Sequence, residues 1–240
     1  MHRSRCQAIK NFILDAIFPK FCLSCKKEGS YLCQDCQALL EVLEYRFCLC
    51  KKAVRLPEGV RCGRCSRNRR LNGLYFALPY QNNFAKILIH QFKYEPFVKD
   101  LAKTITSLII DHFHLLEKKK DDFADFLLVP VPLTKQRLKW RGFNQAEEIG
   151  KGLADFLEIP LVTNILLKTK ATLPQIDLAE KARMENIKGA FSINDEGEIK
   201  GRKILLIDDV YTTGATLEEC ARILKESGAK EVWGVVAARG

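Results

Sequence analysis

The sequence predicts an α/β protein, a parallel sheet flanked by helices, preceded by a small cysteine-rich metal-binding domain. Three observations carry that expectation. From about residue 73 onward, strand-length apolar runs alternate with helical periods, the pattern of βαβ units. Ile204-Leu205-Leu206-Ile207 is branched and apolar at every position, as a strand covered on both faces must be. Eight of the ten cysteines fall in four close pairs between residues 22 and 65, a spacing that suits metal ligation.

At the amino terminus, Ile9, Phe12, Ile13, Ala16 and Ile17 recur at helical spacing with Lys10 and Asp15 among them. Residues 1–18 therefore read as a short amphipathic helix, not a secretory signal. No apolar run approaches the roughly 18 residues a membrane span needs, so a soluble cytoplasmic protein is expected. In a reducing compartment paired cysteines point to metal, not disulfides.

The next 19–72 form the expected zinc-ribbon domain. Cys22-x2-Cys25 and Cys33-x2-Cys36 are separated by seven residues, the spacing of two knuckles that close around one tetrahedral ion. Cys48-x-Cys50 and Cys62-x2-Cys65 are separated by eleven; the first of these is shorter than a usual knuckle, so one or two structural Zn²⁺ ions are expected. The spacing is also compatible with a crossed pairing between knuckles. Metal gives such a segment, poor in large apolar side chains, the stability that it otherwise lacks. Residues 1–72 hold 15 Lys and Arg against 6 Asp and Glu, a net of +9 within the chain's total of +10. Two tetrathiolate zinc sites would lower that to about +5. A basic segment attracts polyanions, and Arg61, Arg64, Arg67, Arg69 and Arg70 are candidate nucleic-acid contacts, although such a run also serves as a solvated face.

The second domain, 73–240, starts with a strand from Leu74 through Tyr80, then helices over 83–93 and 97–116. His112 lies on the apolar stripe of the second helix with Ile105, Leu108 and Ile109, which favours packing over catalysis. After the polar break at residues 118–122, Phe126 to Val129 form a core strand. Pro130-Val131-Pro132 fixes a rigid turn at its carboxyl end, followed by Lys135, Arg137, Lys139 and Arg141. A helix over 144–157, a short strand near Leu161 and a polar stretch from Lys168 to Lys188 lead to the strand at 204–207. Helix 216–227, its stop at Gly228 and a strand over 232–237 close the chain. Cys220 shares the apolar side of that helix with Leu217, Ala221 and Leu224, so a buried, inert thiol is expected.

Asp208 and Asp209 end the central strand at the sheet edge where open α/β proteins bind ligands. Thr212-Thr213-Gly214-Ala215-Thr216 then turns into a helix, so its backbone N–H groups and three hydroxyls can grip a phosphate, while the carboxylates accept hydrogen bonds from a sugar diol. Two plainer readings compete: the magnesium-binding strand of a P-loop nucleotidase, or a core strand ending in solvated acids. The chain has no G-x-x-x-x-G-K-[ST] loop, and a core strand leaves the tight turn unexplained. A sugar-phosphate site is preferred.

The stretch 204–216 resembles the phosphoribosyl-pyrophosphate (PRPP) signature of type I phosphoribosyltransferases, and the chain as a whole resembles the ComF (GntX) competence-related family. The wider resemblance rests on Phe92-Lys93-Tyr94, Val129-Pro130-Val131-Pro132-Leu133, Arg141-Gly142-Phe143-Asn144-Gln145, Thr172, Gln175, Arg183, Asn186, Gly189-Ala190-Phe191 and Ala238-Arg239. It implies a type I phosphoribosyltransferase fold that binds PRPP with Mg²⁺ bridging pyrophosphate and diol. The implied site places Asp208 and Asp209 on the ribose, residues 212–216 on the 5′-phosphate, and Val131 and Pro132 with Arg137 or Arg141 on the pyrophosphate. A mobile hood near 168–188 would close over the reacting carbon. Two function classes follow: an enzyme transferring phosphoribosyl to a nitrogenous acceptor, or a non-catalytic PRPP sensor of the DNA-uptake machinery that contacts single-stranded DNA or a competence helicase.

Overall fold

The computed structural model describes residues 19–57, 62–94, 98–170 and 180–240. The amphipathic helix expected over 1–18 lies outside them, as do Arg61, Thr172, Gln175 and the side chain of Arg183. The chain divides into two compact units, Met1–Glu41 and Val42–Gly240. The cysteine spacing drew its line at residue 72; in the structure the second cysteine cluster belongs to the larger unit.

In the smaller unit the first knuckle is a tight hairpin, with Phe21 bridged to Glu28 and the Cys22 amide donating to the Lys27 carbonyl at 2.8 Å. The second knuckle opens the short helix α1, Gln34–Ala38.

The larger unit starts with a two-stranded hairpin, β1 Arg46–Phe47 and β2 Arg55–Leu56, and the helix α2, Gly63–Asn68. The sheet strand β3, Gly73–Pro79, is followed by α3, Asn83–Lys93, and α4, Leu101–Leu115. Then come β4, Phe126–Pro130; α5, Lys135–Arg141; α6, Gln145–Leu157; β5, Leu166–Lys168; α7, Glu180–Ile187; and β6, Phe191–Ile193. The chain ends with β7, Lys203–Ile207; β8, Val210–Tyr211; α8, Ala215–Glu226; and β9, Glu231–Arg239.

The sheet runs β3-β9-β7-β4, parallel throughout, with β8 paired to the end of β9 and Leu161 bridged to Leu128 beyond β4. From β4 the chain moves outward to Leu161, then returns through β5 and β6 to place β7 on the other side of β4. The crevice at the carboxyl ends of β4 and β7 is therefore a topological switch point, where open sheets take their ligands.

Side chains alternate across the pleat. Leu74, Phe76, Leu127, Val129, Ile204 and Leu206 pack on one face with Leu217, Cys220 and Leu224 of α8, and Cys220 is wholly buried. Tyr75 faces the opposite way, edge-on to Phe113 of α4 and to Phe123. Helices α4 and α6 cover that second face and pack against each other.

His112 is a core residue, as its place on the apolar stripe suggests. Its Nδ1 hydrogen-bonds the Leu43 carbonyl, its ring lies against Tyr75 and Phe76, and Nε2 has no partner among the described residues. Burial pushes its pKa down to about 4. A histidine that must stay neutral when folded contributes stability present above its unfolded pKa and lost as pH falls toward the folded one. Between pH 7.5 and 5 this group should remove about 2 kcal/mol. Asp208 titrates in the opposite sense, so the measurement is a difference: urea unfolding at both pH values should show a smaller acid loss in His112→Phe than in the parent.

Candidate functional site

Ile204 to Ile207 are wholly buried, and the apolar run stops where the strand meets the crevice. The Asp208 amide still donates to Val235 at 3.1 Å, and the Asp209 carbonyl accepts from Ala237 at 3.0 Å. The two acids are thus held on the sheet by backbone bonds. Asp209 directs its carboxylate inward, where Lys93 from the last turn of α3 meets it at 2.7 Å. With side-chain exposures of 6% for Asp209 and 26% for Lys93, this is a desolvated pair.

Asp208 has a different environment. Its Oδ1 accepts from the Asp209 amide at 2.9 Å. Burial, then the neighbouring Asp209 charge, push its pKa up to about 7, against the pull of Lys93. Burial acts against the Lys93 ammonium, but the charges of Asp209 and Asp208 outweigh it and raise its pKa. The pair has one carboxylate committed internally and one poised near neutrality.

The loop after β4 is braced from two sides. The Val131 amide donates to Ile207 at 2.9 Å, and its carbonyl accepts from Asn144 Nδ2 at 3.0 Å. Val131 therefore fixes the loop's position, with its own amide engaged in the sheet. Arg141 ends α5 and is buried; it donates to Gln145 at 2.6 Å, and Gln145 donates to the Phe92 carbonyl at 3.0 Å. This chain of bonds ties the Arg141-Gly142-Phe143-Asn144-Gln145 segment to the helix end that carries Lys93. Gly142 supplies the left-handed turn, with φ of 80°. Arg141 Nε is buried without a partner among the described residues; burial pushes the guanidinium's pKa down, with the charges of Asp209 and Asp208 pulling it back up.

On the other side, Gly214 caps α8 with φ of 80°. A Cβ there would lie 2.3 Å from the Tyr211 hydroxyl oxygen, so the ring of Tyr211 forms the floor of the turn and only glycine fits above it. Thr212 is exposed and Thr213 and Thr216 are half-buried, while Ala215 donates to Thr213 Oγ1 at 3.4 Å.

The structure thus brings Asp208, Asp209, Arg141, Val131, Pro132 and the 212–216 turn to one sheet edge. Arg137 lies on α5, close enough for its charge to act on Arg141 and Lys168; the sequence pattern shows this helix only as a run of bases. In the sequence Lys93 is one residue of the Phe92-Lys93-Tyr94 motif with no role of its own, and nothing sets Lys168 apart. Yet Lys168, at the end of β5, is half-buried, and its lowered pKa reflects burial and then the Arg137 charge, with Asp208 pulling the other way. Gly189 is held by Glu219 of α8 at 2.8 Å, anchoring the Gly189-Ala190-Phe191 segment.

The cysteines gather as Cys22, Cys25, Cys33 and Cys36, and as Cys48, Cys50, Cys62 and Cys65, with the sulfurs of each set within 4.8 Å of one another. The pairing is sequential, not crossed. Cys25 and Cys33 Sγ lie 3.5 Å apart, and Cys50 Sγ lies 3.8 Å from Cys62 and 3.3 Å from Cys65. Four thiolates at about 2.3 Å from a tetrahedral Zn²⁺ sit roughly 3.8 Å from one another, so both sets can hold zinc, including the one with the short C-x-C.

Residues 145–240 match the family profile described as phosphoribosyl transferase domain. Competence protein F of Haemophilus influenzae is 30% identical over 229 residues, covering 90% of this chain and 96% of that protein. The chain belongs to the ComF family. DNA utilization protein YhgH of Salmonella typhi is 28% identical over 222 residues, covering 84% of this chain and 95% of its own. Among solved structures, glutamine phosphoribosylpyrophosphate amidotransferase from B. subtilis, complexed with ADP and GMP, is 19% identical with a TM-score of 0.34. That likeness covers 57% of this chain and 25% of the other. The fold of this ComF-family protein is the type I phosphoribosyltransferase fold, a parallel sheet flanked by helices. No helix among the described residues is long and apolar enough to cross a membrane.

Removing one partner of a desolvated ion pair strands the other charge and costs about 3–5 kcal/mol. Lys93→Met in this ComF-family chain should lower urea-unfolding stability by that order, and Lys93→Met with Asp209→Asn should recover most of it. Equal losses in the single and double variants would count against the pair as the local anchor.

Proposed function

We propose that the protein binds PRPP with Mg²⁺ at the carboxyl edge of β7 and transfers its phosphoribosyl group to a nitrogenous acceptor, in DNA uptake or nucleotide metabolism. The observation that carries the reading is the juxtaposition of a half-buried, near-neutral Asp208 with a glycine turn at the start of α8. One part suits a ribose hydroxyl, the other a 5′-phosphate, at the spacing set by a single loop.

In this reading the backbone amides of 212–216 and the threonine hydroxyls hold the 5′-phosphate, helped by the dipole of α8. Asp208 and Asp209 receive the ribose hydroxyls. Arg137, Arg141 and Lys168 supply positive charge for the pyrophosphate, and Val131 and Pro132 keep that loop rigid. Asp208 is the carboxylate left for a cation once Lys93 has neutralised Asp209, and carboxylate oxygens suit Mg²⁺. Bound there, Mg²⁺ would neutralise charge on the leaving group. In the transfer the C1–O bond to pyrophosphate breaks and its electron pair leaves with pyrophosphate. A C1–N bond forms to the acceptor, whose proton goes to solvent or to the departing anion. The protein contributes position and electrostatics.

A second reading keeps the site and drops the turnover: a PRPP sensor acting in DNA uptake. The internal salt bridge of Asp209 favours it, because a carboxylate already neutralised is less available to reacting groups. The exposed Arg64, Arg67 and Arg70 would then contact single-stranded DNA or a helicase partner in the cytoplasm.

Calorimetric titration with PRPP and Mg²⁺ tests the site. Cation binding needs ionised Asp208, so Mg²⁺-dependent affinity should rise about tenfold per pH unit up to pH 7 and level off above it. Asp208→Asn should bind weakly and lose that slope. Pyrophosphate release stimulated by one nucleobase makes the protein an enzyme, and binding without release under any acceptor supports the sensor. No binding by the parent sinks both.

A further inference from the structure

The second cysteine cluster is built into the sheet edge that carries the phosphate turn. Arg239, at the end of β9, is buried. One terminal nitrogen donates to the Cys48 carbonyl at 2.7 Å and the other to the Cys50 carbonyl at 3.0 Å. Its guanidinium thus grips both cysteines of the C-x-C at their backbone. The same group lies over two rings, 5.5 Å from that of Phe76 and 5.6 Å from that of Tyr211. Tyr211 is the floor of the Gly214 turn. It is also bound to the end of β9, since Tyr211 and Arg239 are register partners and Gly240 donates to the Tyr211 carbonyl at 2.8 Å.

A second connection runs through α8. Glu218 lies in its first turn and accepts from the Arg70 amide at 2.7 Å, with the Arg69 guanidinium at 4.0 Å. Arg69 and Arg70 directly follow α2, the helix that carries Cys65. Leu49, between the two cysteines of the C-x-C, is 3% exposed and packs in the core beneath α8. The two ends of the cluster therefore hold the two ends of the phosphate turn, Tyr211 before it and Glu218 after it.

We infer that the second tetracysteine site is part of the phosphoribosyl site: zinc there fixes the C-x-C carbonyls that Arg239 grips, and Arg239, a positioning residue, holds Tyr211 and the 212–216 turn in the phosphate-gripping shape. This rests on the proposed PRPP binding. Its consequence is energetic linkage. If zinc strengthens ligand binding by some factor, ligand strengthens zinc binding by the same factor.

The test uses the full chain loaded with zinc. Release to a colorimetric chelator is followed with and without saturating PRPP and Mg²⁺, and a Cys62→Ser variant identifies the phase that belongs to the second cluster. PRPP should slow that phase about tenfold and leave the first cluster's phase unchanged, and PRPP affinity should fall about tenfold in Cys62→Ser. In Arg239→Gln, with folding checked by circular dichroism and zinc content, the ligand should no longer slow release; Arg239→Lys, with one donor group in place of a fork, should restore only part of it. The parent's release rates test the linkage even if a variant fails to fold. PRPP binding of equal affinity with and without zinc in the second cluster overturns the inference and leaves the proposed function standing. A chain that takes up one zinc, retained in Cys62→Ser, also overturns it. Absence of PRPP binding in the zinc-loaded parent is a failure of the functional reading itself.

Discussion

The ion pair between Lys93 and Asp209 is the constraint on which the architecture of the site depends. Two adjacent carboxylates at the end of a fully apolar strand repel each other when both are ionised. Lys93 resolves the conflict for Asp209 by bringing a positive charge to 2.7 Å. Asp208 is left with the residual strain, expressed as a pKa of about 7. The chemistry available at the crevice follows from this unequal division. Lys93 can reach Asp209 because α3 ends there, and that end is held by Gln145 on the Phe92 carbonyl and by Arg141 on Gln145. Three separated sequence motifs therefore act as one support.

The larger unit also shows why a cysteine-rich segment able to hold a metal need not be a separate module. Its hairpin contributes Leu49 to the sheet's own core, and the Leu43 amide bonds the β3 carbonyl of Ala77 at 2.9 Å. The arginines that looked like one basic face divide accordingly. Arg69 turns toward Glu218, while Arg64, Arg67 and Arg70 face solvent. Of a charge run read as a nucleic-acid contact, part is used to fasten α2 to α8.

Elements whose pattern depends on local periodicity were legible in the sequence. The α3 helix expected over 83–93 is Asn83–Lys93, and β7 is buried as its unbroken apolar run requires. Elements defined by tertiary pairing were not. The strand expected near Leu161 is a single bridge to Leu128, and β8 is two residues long and exists only because it pairs with β9. The helix α5 was missed because five of its seven residues are polar or basic; Thr134 caps it by accepting from Arg137 at 3.3 Å. At the site, the acids and the glycine turn were readable from their order in one stretch. Lys93 and Lys168 were not, since each is brought within reach of Asp208 from a distant part of the chain.

Membership in the ComF family and possession of the phosphoribosyltransferase fold do not decide between transfer and sensing, because function resides in the site and not the fold. On the proposed reading, the distinction narrows to what Asp208 would do when ligand arrives. A carboxylate held near neutrality can ionise when a cation or a developing positive charge on the sugar enters, which favours the charged transition state over the ground state. The same carboxylate can simply report ligand by giving up its proton on binding, with no bond broken. Both outcomes require the phosphate turn in its gripping shape. On the proposed reading that shape depends on Tyr211 beneath Gly214 and on Arg239 beside Tyr211, so the cysteine-rich segment would bear on either function through the same few side chains.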